Sequence, residues 1–371
     1  MSAATSERTL KRRIAALLCA AAACVAAFAA PSDSDLDALR KTANLAGQRA
    51  HARAVVAQLG DFTAWEDDDA LFGATTPETP SAHQRADAPL ITLTYFNAPA
   101  ASHLRDEKLA SRARLDALVT QGAPDATYAS FRSIPDFPRT AVIVKSAWWP
   151  IARDGGTTLP VWDAESNPIR RGGNDYTSWT RRVRIASGDV SRAPLTTKDF
   201  IRRRVDATLA SALMRDPSRR KAAVIALGRP LAAGDTLVMV AAHIATKEIR
   251  DWVWITLWWH DRPEPNPAAA ATLTAPYLRY RLEVAFDPAT PAAADGGPHV
   301  AYNPWLEARF PDGGAGGGTR SNCLACHQRA SYPSPGFLPV TRGAADLRRD
   351  PAFRPGQLRT NFLWSIALRA R

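Results

Sequence analysis

The chain has 371 residues, 46% of them hydrophobic, and its formal net charge is +11. This length suffices for one large domain or two modest ones, and the hydrophobic content excludes a chain that is disordered throughout. The positive charge is typical of proteins that contact anionic surfaces or acidic partners.

The first 29 residues have the pattern of a secretory signal peptide. Basic residues precede an apolar run from Ile14 to Phe28, and small residues continue to Ala29. The run is too short and too rich in alanine for a membrane span. We therefore predict export to the periplasm with cleavage of residues 1–29, in a compartment without nucleic-acid partners. Cys24 lies in a degenerate lipoprotein pattern, so we expect no lipid anchor.

Cleavage leaves Cys323 and Cys326 as the cysteines of the mature chain. A framework of structural disulfides is then excluded. The mature chain stays basic, because the removed segment carries only a small part of the positive charge. We expect an acidic redox protein as partner, with peripheral contact to an anionic membrane as a further possibility.

Residues 30–89 are predicted to form an N-terminal helix followed by a linker. Apolar residues recur at helical spacing over Asp35–Leu59. The acidic stretch Glu66–Asp69 and the proline-punctuated stretch Thr75–Pro89 show no apolar periodicity. Such stretches predict a surface linker.

Residues 90–310 are predicted to be a β-rich α+β region. Ile91–Phe96 and Ala141–Val144 are short runs of β-branched and apolar residues, which are typical of strands. The intervening segment Ala100–Gln121 is charged and has a helical pattern. We expect a strand, a surface helix and a second strand in that order.

The second half of this region carries the strongest strand patterns. Apolar residues recur every four positions over Ile201–Leu213, which predicts an amphipathic helix with Arg202–Arg204 on its outer face. Thr236–Thr246 and Trp252–His260 are rich in β-branched and aromatic residues and predict a hairpin. Tyr277–Phe286 alternates apolar and charged residues, as a half-buried strand does. These elements predict an α+β fold with an antiparallel sheet of roughly five to seven strands.

Residues 311–371 contain the motif that specifies chemistry. Cys323-Leu324-Ala325-Cys326-His327 is a C-x-x-C-H arrangement, in which two thiols attach to haem and the histidine binds its iron. We predict one covalently bound haem on a C-terminal loop-helix segment. A thioredoxin-like thiol pair would lie at a helix start early in a βαβ unit, and zinc would need four ligands, so both alternatives are weaker.

The export signal together with Cys323, Cys326 and His327 resembles the c-type cytochromes, and this resemblance implies haem binding and electron transfer. The motif match covers five residues. Small members of that family have the motif near the N-terminus and a methionine ligand downstream. Here no Met, His or Lys follows His327, so a second iron ligand must lie upstream. The upstream candidates are Met214, Met239, His243, His260, His299, Lys145 and Lys247.

Met239, His243 and His299 are the distal ligands that we consider first. Met239 and His243 are predicted to lie on one face of a strand, about 13 Å apart at roughly 3.3 Å per residue. Only one of them could therefore reach an iron. His299 is the candidate closest to the motif in sequence.

A β-rich chain with its C-x-x-C-H motif close to the C-terminus also resembles cytochrome P460 and its relatives. This resemblance implies an iron that can be five-coordinate and a lysine cross-linked to the haem. Lys145, at the end of the predicted strand Ala141–Val144, is the residue to test for such a cross-link. Its cross-link is an expectation from the resemblance alone.

Three functions follow from these patterns. The first is periplasmic electron transfer, which needs a redox partner protein and no catalytic residues. The second is a haem enzyme, or a protein that binds a gas or another small molecule at an open distal iron position. The third is a haem-bearing module whose large upstream region binds a partner protein. We favour electron transfer.

Overall fold

The three-dimensional structure, a computed structural model, contains both helices and strands. It describes residues 32–42, 44–74, 89–126, 128–163, 175–188, 194–263, 267–287, 299–307, 322–334 and 356–371. The predicted signal peptide at 1–29, most of the predicted linker at Thr75–Pro89 and the start of the predicted haem segment at 311–321 lie outside the described residues.

The fold is α+β with an antiparallel central sheet, as predicted. The helices are α1 (Asp33–Lys41), α2 (Leu45–Gln58), α3 (Asp68–Phe72), α4 (Ala98–Asp106), α5 (Arg112–Gln121), α6 (Ala207–Met214), α7 (Pro217–Leu227), α8 (Pro267–Thr272), α9 (Cys323–His327) and α10 (Trp364–Arg369). The strands are β1 (Glu66–Asp67), β2 (Ile91–Phe96), β3 (Ala123–Pro124), β4 (Arg132–Ser133), β5 (Val142–Ile151), β6 (Thr157–Pro160), β7 (Arg182–Ile185), β8 (Arg202–Arg204), β9 (Thr236–Thr246), β10 (Val253–Trp259), β11 (Tyr280–Ala285), β12 (Ser331–Tyr332) and β13 (Leu358–Arg359).

The central sheet has the strand order β1-β2-β5-β9-β10-β11, and β8 pairs with the part of β9 that β10 leaves free. All of its strand pairs are antiparallel. Among the described residues, a smaller sheet has the order β12-β13-β4-β3, and β6 pairs with β7. The smaller sheet joins the C-terminal segment to the middle of the chain.

The strongest strand predictions are confirmed. Ile91–Phe96 forms β2, Thr236–Thr246 forms β9, and β9 pairs with β10 as the predicted hairpin. The strand predicted from Trp252 begins one residue later, because Trp252 has a left-handed backbone (φ 65°) and belongs to the turn. Strand β11 begins at Tyr280, after a short 3-10 turn over Tyr277–Arg279.

The predicted N-terminal helix Asp35–Leu59 is wrong in one respect, since the structure has two helices there. Helix α1 ends at Lys41, and α2 begins after Asn44. The Asn44 side chain accepts a hydrogen bond from the backbone N–H of Gly47 at 3.0 Å and caps the second helix. An asparagine cap can start a new helix while the apolar residues keep their helical spacing, so the spacing alone did not reveal the break.

The predicted linker is also wrong over Glu66–Asp69, which is ordered. Glu66 and Asp67 form β1 against the end of β2, and Asp67 caps α3 through a hydrogen bond from the Ala70 N–H at 2.9 Å. Asp68 is buried and binds Arg369. This acidic stretch is thus part of the folded structure, because the carboxylate of Asp68 has a partner that is distant in sequence.

The helix predicted over Ile201–Leu213 is wrong in its first half. Arg202–Arg204 forms β8 and pairs with Thr236–Val238 of β9. The helix begins only after Asp206, whose side chain accepts a hydrogen bond from the Leu209 N–H at 2.7 Å. A spacing of four also keeps residues on one face of a strand, so the local pattern did not distinguish the two structures.

A hydrophobic core lies between one face of the central sheet and helices α4, α5, α9 and α10. The sheet contributes Phe96, Ile143, Ala245 and Trp254, and the motif helix contributes Cys323. The predicted haem motif is therefore a buried wall of the core.

Candidate haem site

Helix α9 carries the C-x-x-C-H motif and is held at its first turn by Asn322. The Asn322 Oδ1 accepts from the Ala325 N–H at 3.3 Å, and its Nδ2 donates to the Asp287 carbonyl at 2.9 Å. A five-residue helix has little stability by itself. Its cap and its packing in the core therefore fix the orientation of the motif.

His327 has the tautomer that a metal ligand requires. Its Nδ1 lies 2.7 Å from the carbonyl oxygen of Phe362, so Nδ1–H donates and the lone pair is on Nε2. The Trp254 ring packs on the imidazole with centroids 4.0 Å apart. Burial lowers the pKa of His327 to about 4; the hydrogen bond to the Phe362 carbonyl opposes this shift, and the nearby charge of Lys145 adds to it. The ring is therefore neutral at pH 7.

The two motif cysteines are not bonded to each other; Cys323 is buried and Cys326 is partly buried. Burial raises the pKa of Cys323 well above its ordinary value and that of Cys326 to about 11. Cysteines that exchange disulfides have the opposite property, a lowered pKa that makes them thiolates. The environment is thus unlike that of a thioredoxin-like pair.

A row of polar side chains crosses the sheet face that the motif covers. Cross-strand partners share a face, and so do residues two positions apart along a strand. Lys145 and His243 are partners on β5 and β9, two residues from the core residues Ile143 and Ala245. The complete row consists of Thr94, Lys145, His243, Thr256 and Glu283.

His243 is the distal candidate that the structure brings to the motif. Burial lowers its pKa well below the ordinary value, and the charges of Lys145 and His327 act in the same direction. Its Nε2 lies 3.3 Å from Oε1 of Glu307 but, within the described residues, forms no hydrogen bond. A buried imidazole nitrogen without a hydrogen bond is suited to a ligand.

Lys145 is partly buried at the same place. Burial lowers the pKa of its ammonium group, and the nearby acidic groups Asp68, Cys326 and Glu307 oppose this shift. Lys145 therefore lies close enough to the motif for its charge to act on Cys326 and His327.

Met239 is on the other face, so the predicted shared face of Met239 and His243 is wrong. A register shift between Ala147 and Trp148 leaves an extra residue in β9, and Met239 pairs with Trp148. Trp148 is three residues from Lys145 and points to the opposite face. A β-bulge of this kind reverses the alternation of the strand beyond it.

The remaining candidates have other contacts. His299 Nε2 lies 3.0 Å from Oε2 of Glu283, and His260 Nδ1 lies 3.1 Å from Oδ1 of Asp261. Lys247 is paired with Asp136 and donates to Oδ1 of Asn361. Met214 ends α6, and its carbonyl accepts a hydrogen bond from Arg220.

Glu307 is a site residue that the sequence did not identify. Its Oε2 accepts from the Asn303 N–H at 2.7 Å, and the Asn303 Nδ2 donates to Thr256 Oγ1 at 2.8 Å. This connects the carboxylate near His243 to the polar row on the sheet. No local sequence motif marks this glutamate.

Comparisons with known proteins add no relative. No family model, curated protein or solved structure matches this chain. Within the described ranges, no helix combines the length and apolar composition needed to cross a bilayer. The chemistry of the site therefore rests on its own side chains.

The side chains at the motif fit a covalently bound haem. Cys323 and Cys326 are neutral thiols on one turn, and His327 has its Nε2 lone pair available. His243 offers a second imidazole from the sheet, with a nitrogen that lacks a hydrogen bond among the described residues. Apolar and aromatic walls around a histidine ligand are typical of haem sites.

Proposed function

We propose that this chain is a periplasmic c-type cytochrome with one covalent haem that transfers electrons. The observation that carries the proposal is the 2.7 Å hydrogen bond between His327 Nδ1 and the Phe362 carbonyl. It leaves Nε2 unprotonated beside two free cysteines. A ligating histidine almost always donates its other ring N–H in this way.

Each residue of the site has a definite role in this proposal. Cys323 and Cys326 would hold the haem through thioether bonds, and His327 and His243 would bind its iron. Bound haem supplies an iron that takes up and releases one electron. Trp254 packs against His327 and excludes water from it. Burial of both imidazoles keeps them unprotonated over the physiological pH range.

Two protein ligands favour electron transfer over catalysis. With His327 and His243 both bound, no open iron position remains for a substrate, and the surroundings need little rearrangement when the charge changes. The positive charge of the chain suits an acidic redox protein as partner. The periplasm is the compartment in which such haem attachment and such a partner are expected.

An absorption spectrum of the full chain, coexpressed with the haem-attachment machinery, tests this proposal. We expect covalent haem with a low-spin spectrum that carbon monoxide does not change. Replacing Cys323 and Cys326 by Ala should remove the covalent haem, and His243→Ala should make the iron sensitive to carbon monoxide. Covalent haem that persists in the double cysteine variant would refute the proposal.

The position of Lys145 favours a second candidate, a haem protein with an open distal position. Lys145 is partly buried, directly opposite His243, and its charge acts on Cys326. In this alternative His243, Glu307 and Lys145 would surround a small molecule or gas instead of closing the site, as in the cytochrome P460-like resemblance. A high-spin spectrum that shifts with carbon monoxide would support it.

The conservative variant Lys145→Arg distinguishes a covalent role from a purely electrostatic one. Arginine keeps the positive charge but cannot form the same cross-link. If the lysine is cross-linked, the variant loses the mass and spectrum of the modified haem. If Lys145 acts only by its charge, both stay as in the wild type.

A further inference from the structure

The carbonyl group that accepts the hydrogen bond from His327 belongs to a turn with an unusual backbone. Asn361 (φ 50°) and Phe362 (φ 68°) are consecutive left-handed residues, and neither is a glycine. Asparagine tolerates this region better than most residues, whereas a bulky aromatic residue rarely adopts it. Such a conformation persists where the surroundings hold it in place.

The Asn361 side chain is held by three groups distant in sequence. Its Oδ1 accepts from Trp252 Nε1 at 2.7 Å and from Lys247 Nζ at 3.4 Å. Its Nδ2 donates to Oδ1 of Asp136. Trp252 is fully buried, and the Lys247 side chain is only 1% exposed. These contacts with Trp252, Lys247 and Asp136, called the Asn361 clamp below, fix the position of the Asn361 side chain.

Lys247 makes the Asn361 clamp rigid. Its ammonium group lies 2.6 Å from Asp136, donates to the Arg250 carbonyl and sits 5.5 Å from the centre of the Trp252 ring. A buried ammonium group with a carboxylate, a carbonyl and an aromatic face around it has few alternative positions.

The two ends of the turn are fixed by separate hydrogen bonds. The Thr360 N–H donates to the Ala330 carbonyl at 3.1 Å, and the Leu363 N–H donates to the Thr360 carbonyl at 2.9 Å. The Thr360 hydroxyl donates to the Leu363 carbonyl at 2.9 Å. Asn361 lies between these ends, so its side-chain contacts determine how the next carbonyl group is directed.

We propose that Asn361 is a positioning residue for the proximal ligand. Its anchored side chain holds the Phe362 carbonyl against His327 Nδ1 and so sets the reduction potential. This inference rests on the proposed function, since it requires haem at His327. A strong acceptor at Nδ1–H makes the ring a better electron donor, which stabilises ferric iron. A weaker hydrogen bond therefore favours the ferrous state.

The test is a spectroelectrochemical titration of the full haem-bearing chain. Asn361→Gly keeps the left-handed turn accessible but removes all three side-chain contacts. We expect this variant to retain covalent haem. At a fixed potential, its ratio of ferrous to ferric haem should be higher than in the wild type by about threefold to tenfold. Trp252→Phe keeps an aromatic ring and removes one donor, so it should shift the ratio in the same direction by less.

Asn97→Ala is the matched control. Asn97 is similarly anchored, since it accepts from the Ala100 and Val142 N–H groups and donates to the Thr140 carbonyl, but it caps α4. It should lower stability and leave the potential unchanged. NMR of the ferrous protein measures how fast the His327 Hδ1 proton exchanges with solvent. This exchange should be faster than in the wild type in Asn361→Gly and Trp252→Phe, and unchanged in Asn97→Ala.

The outcomes separate this inference from the proposed function. A wild-type chain without covalent haem would overturn the proposed function, and this inference with it. A haem-bearing wild type whose Asn361→Gly and Trp252→Phe variants keep the parental potential would overturn this inference alone. If Asn361→Gly does not fold, Trp252→Phe and the proton-exchange measurement decide.

Discussion

Two neutral imidazoles, His327 and His243, lie on the same side of the central sheet, and both are partly buried. Burial is the main cause of the lowered pKa in both, and Lys145 adds to it by its charge. Neither ring can take up a proton near pH 7, so both keep a lone pair for a ligand. The same burial makes the protonated form of each ring unfavourable in the folded state at low pH.

The haem-free chain should therefore lose stability as the pH falls below about 6.5. Unfolded histidine has a pKa of about 6.5, and folded His327 a pKa of about 4, so between these values the unfolded state binds more protons. The stabilisation is complete above the unfolded pKa and is lost as the pH falls toward the folded one. From pH 7 to pH 5 we expect His327 to lower the free energy of unfolding by about 2 kcal/mol.

Urea unfolding of the Cys323→Ala/Cys326→Ala chain at both pH values measures this loss. The same chain with His327→Gln is the control, because glutamine does not titrate. An equal pH dependence in the two chains would show that His327 does not cause it.

Helix α9 is stable because of its neighbours, not because of its length. Its cap, Asn322, is only 3% exposed and joins the helix to the end of the β11 segment through Asp287. The β-bulge in β9 is a second local feature with a large effect, since it separates Met239 from the face of His243. One short helix and one extra residue thus determine which side chains meet.

Replacing Asn322 by Ala should lower the free energy of unfolding by about 1–2 kcal/mol, since both the cap and the Asp287 contact are lost. Asn44→Ala removes the cap of α2 at an exposed site and should cost less, about 0.5–1 kcal/mol. Equilibrium urea unfolding compares the two. A larger loss for Asn44→Ala would contradict the role given to Asn322.

At the scale of the whole molecule, the C-terminal segment contacts elements that are distant from it in sequence. Strand β13 pairs with β4 and β12, and the turn after it supplies the carbonyl that accepts from His327. Helix α10 then places Arg369 on Asp68 and Asp69, near the start of the folded unit. The two ends of residues 32–371, which form one compact unit, are thereby linked.

Arg369→Ala should destabilise the folded chain by about 3 kcal/mol, because it leaves the buried carboxylate of Asp68 without its main partner. The pKa of Asp68 is already raised by burial, and Arg369 opposes that shift. Arg105→Ala is the matched control, since its pair with Glu66 is half exposed and should cost less than about 1 kcal/mol. Thermal unfolding of both variants checks this, and equal losses would contradict it.

Local pattern sufficed for the long strands and for the motif. Thr236–Thr246 has the β-branched and apolar composition of a central strand. The spacing of Cys323, Cys326 and His327 is the basis on which haem chemistry is proposed. These features are determined within a few consecutive residues. The α+β class followed because several such segments alternate along the chain.

Tertiary structure decided what depends on distant partners. Arg202–Arg204 is a strand because Thr236–Val238 offers it free hydrogen-bonding groups, and Glu307 approaches His243 through a loop that no motif marks. Sheet register places Lys145 beside His243, although about 100 residues separate them in the chain. Sequence periodicity reports which side of an element is apolar. It does not report which element lies opposite, because that choice depends on long-range packing.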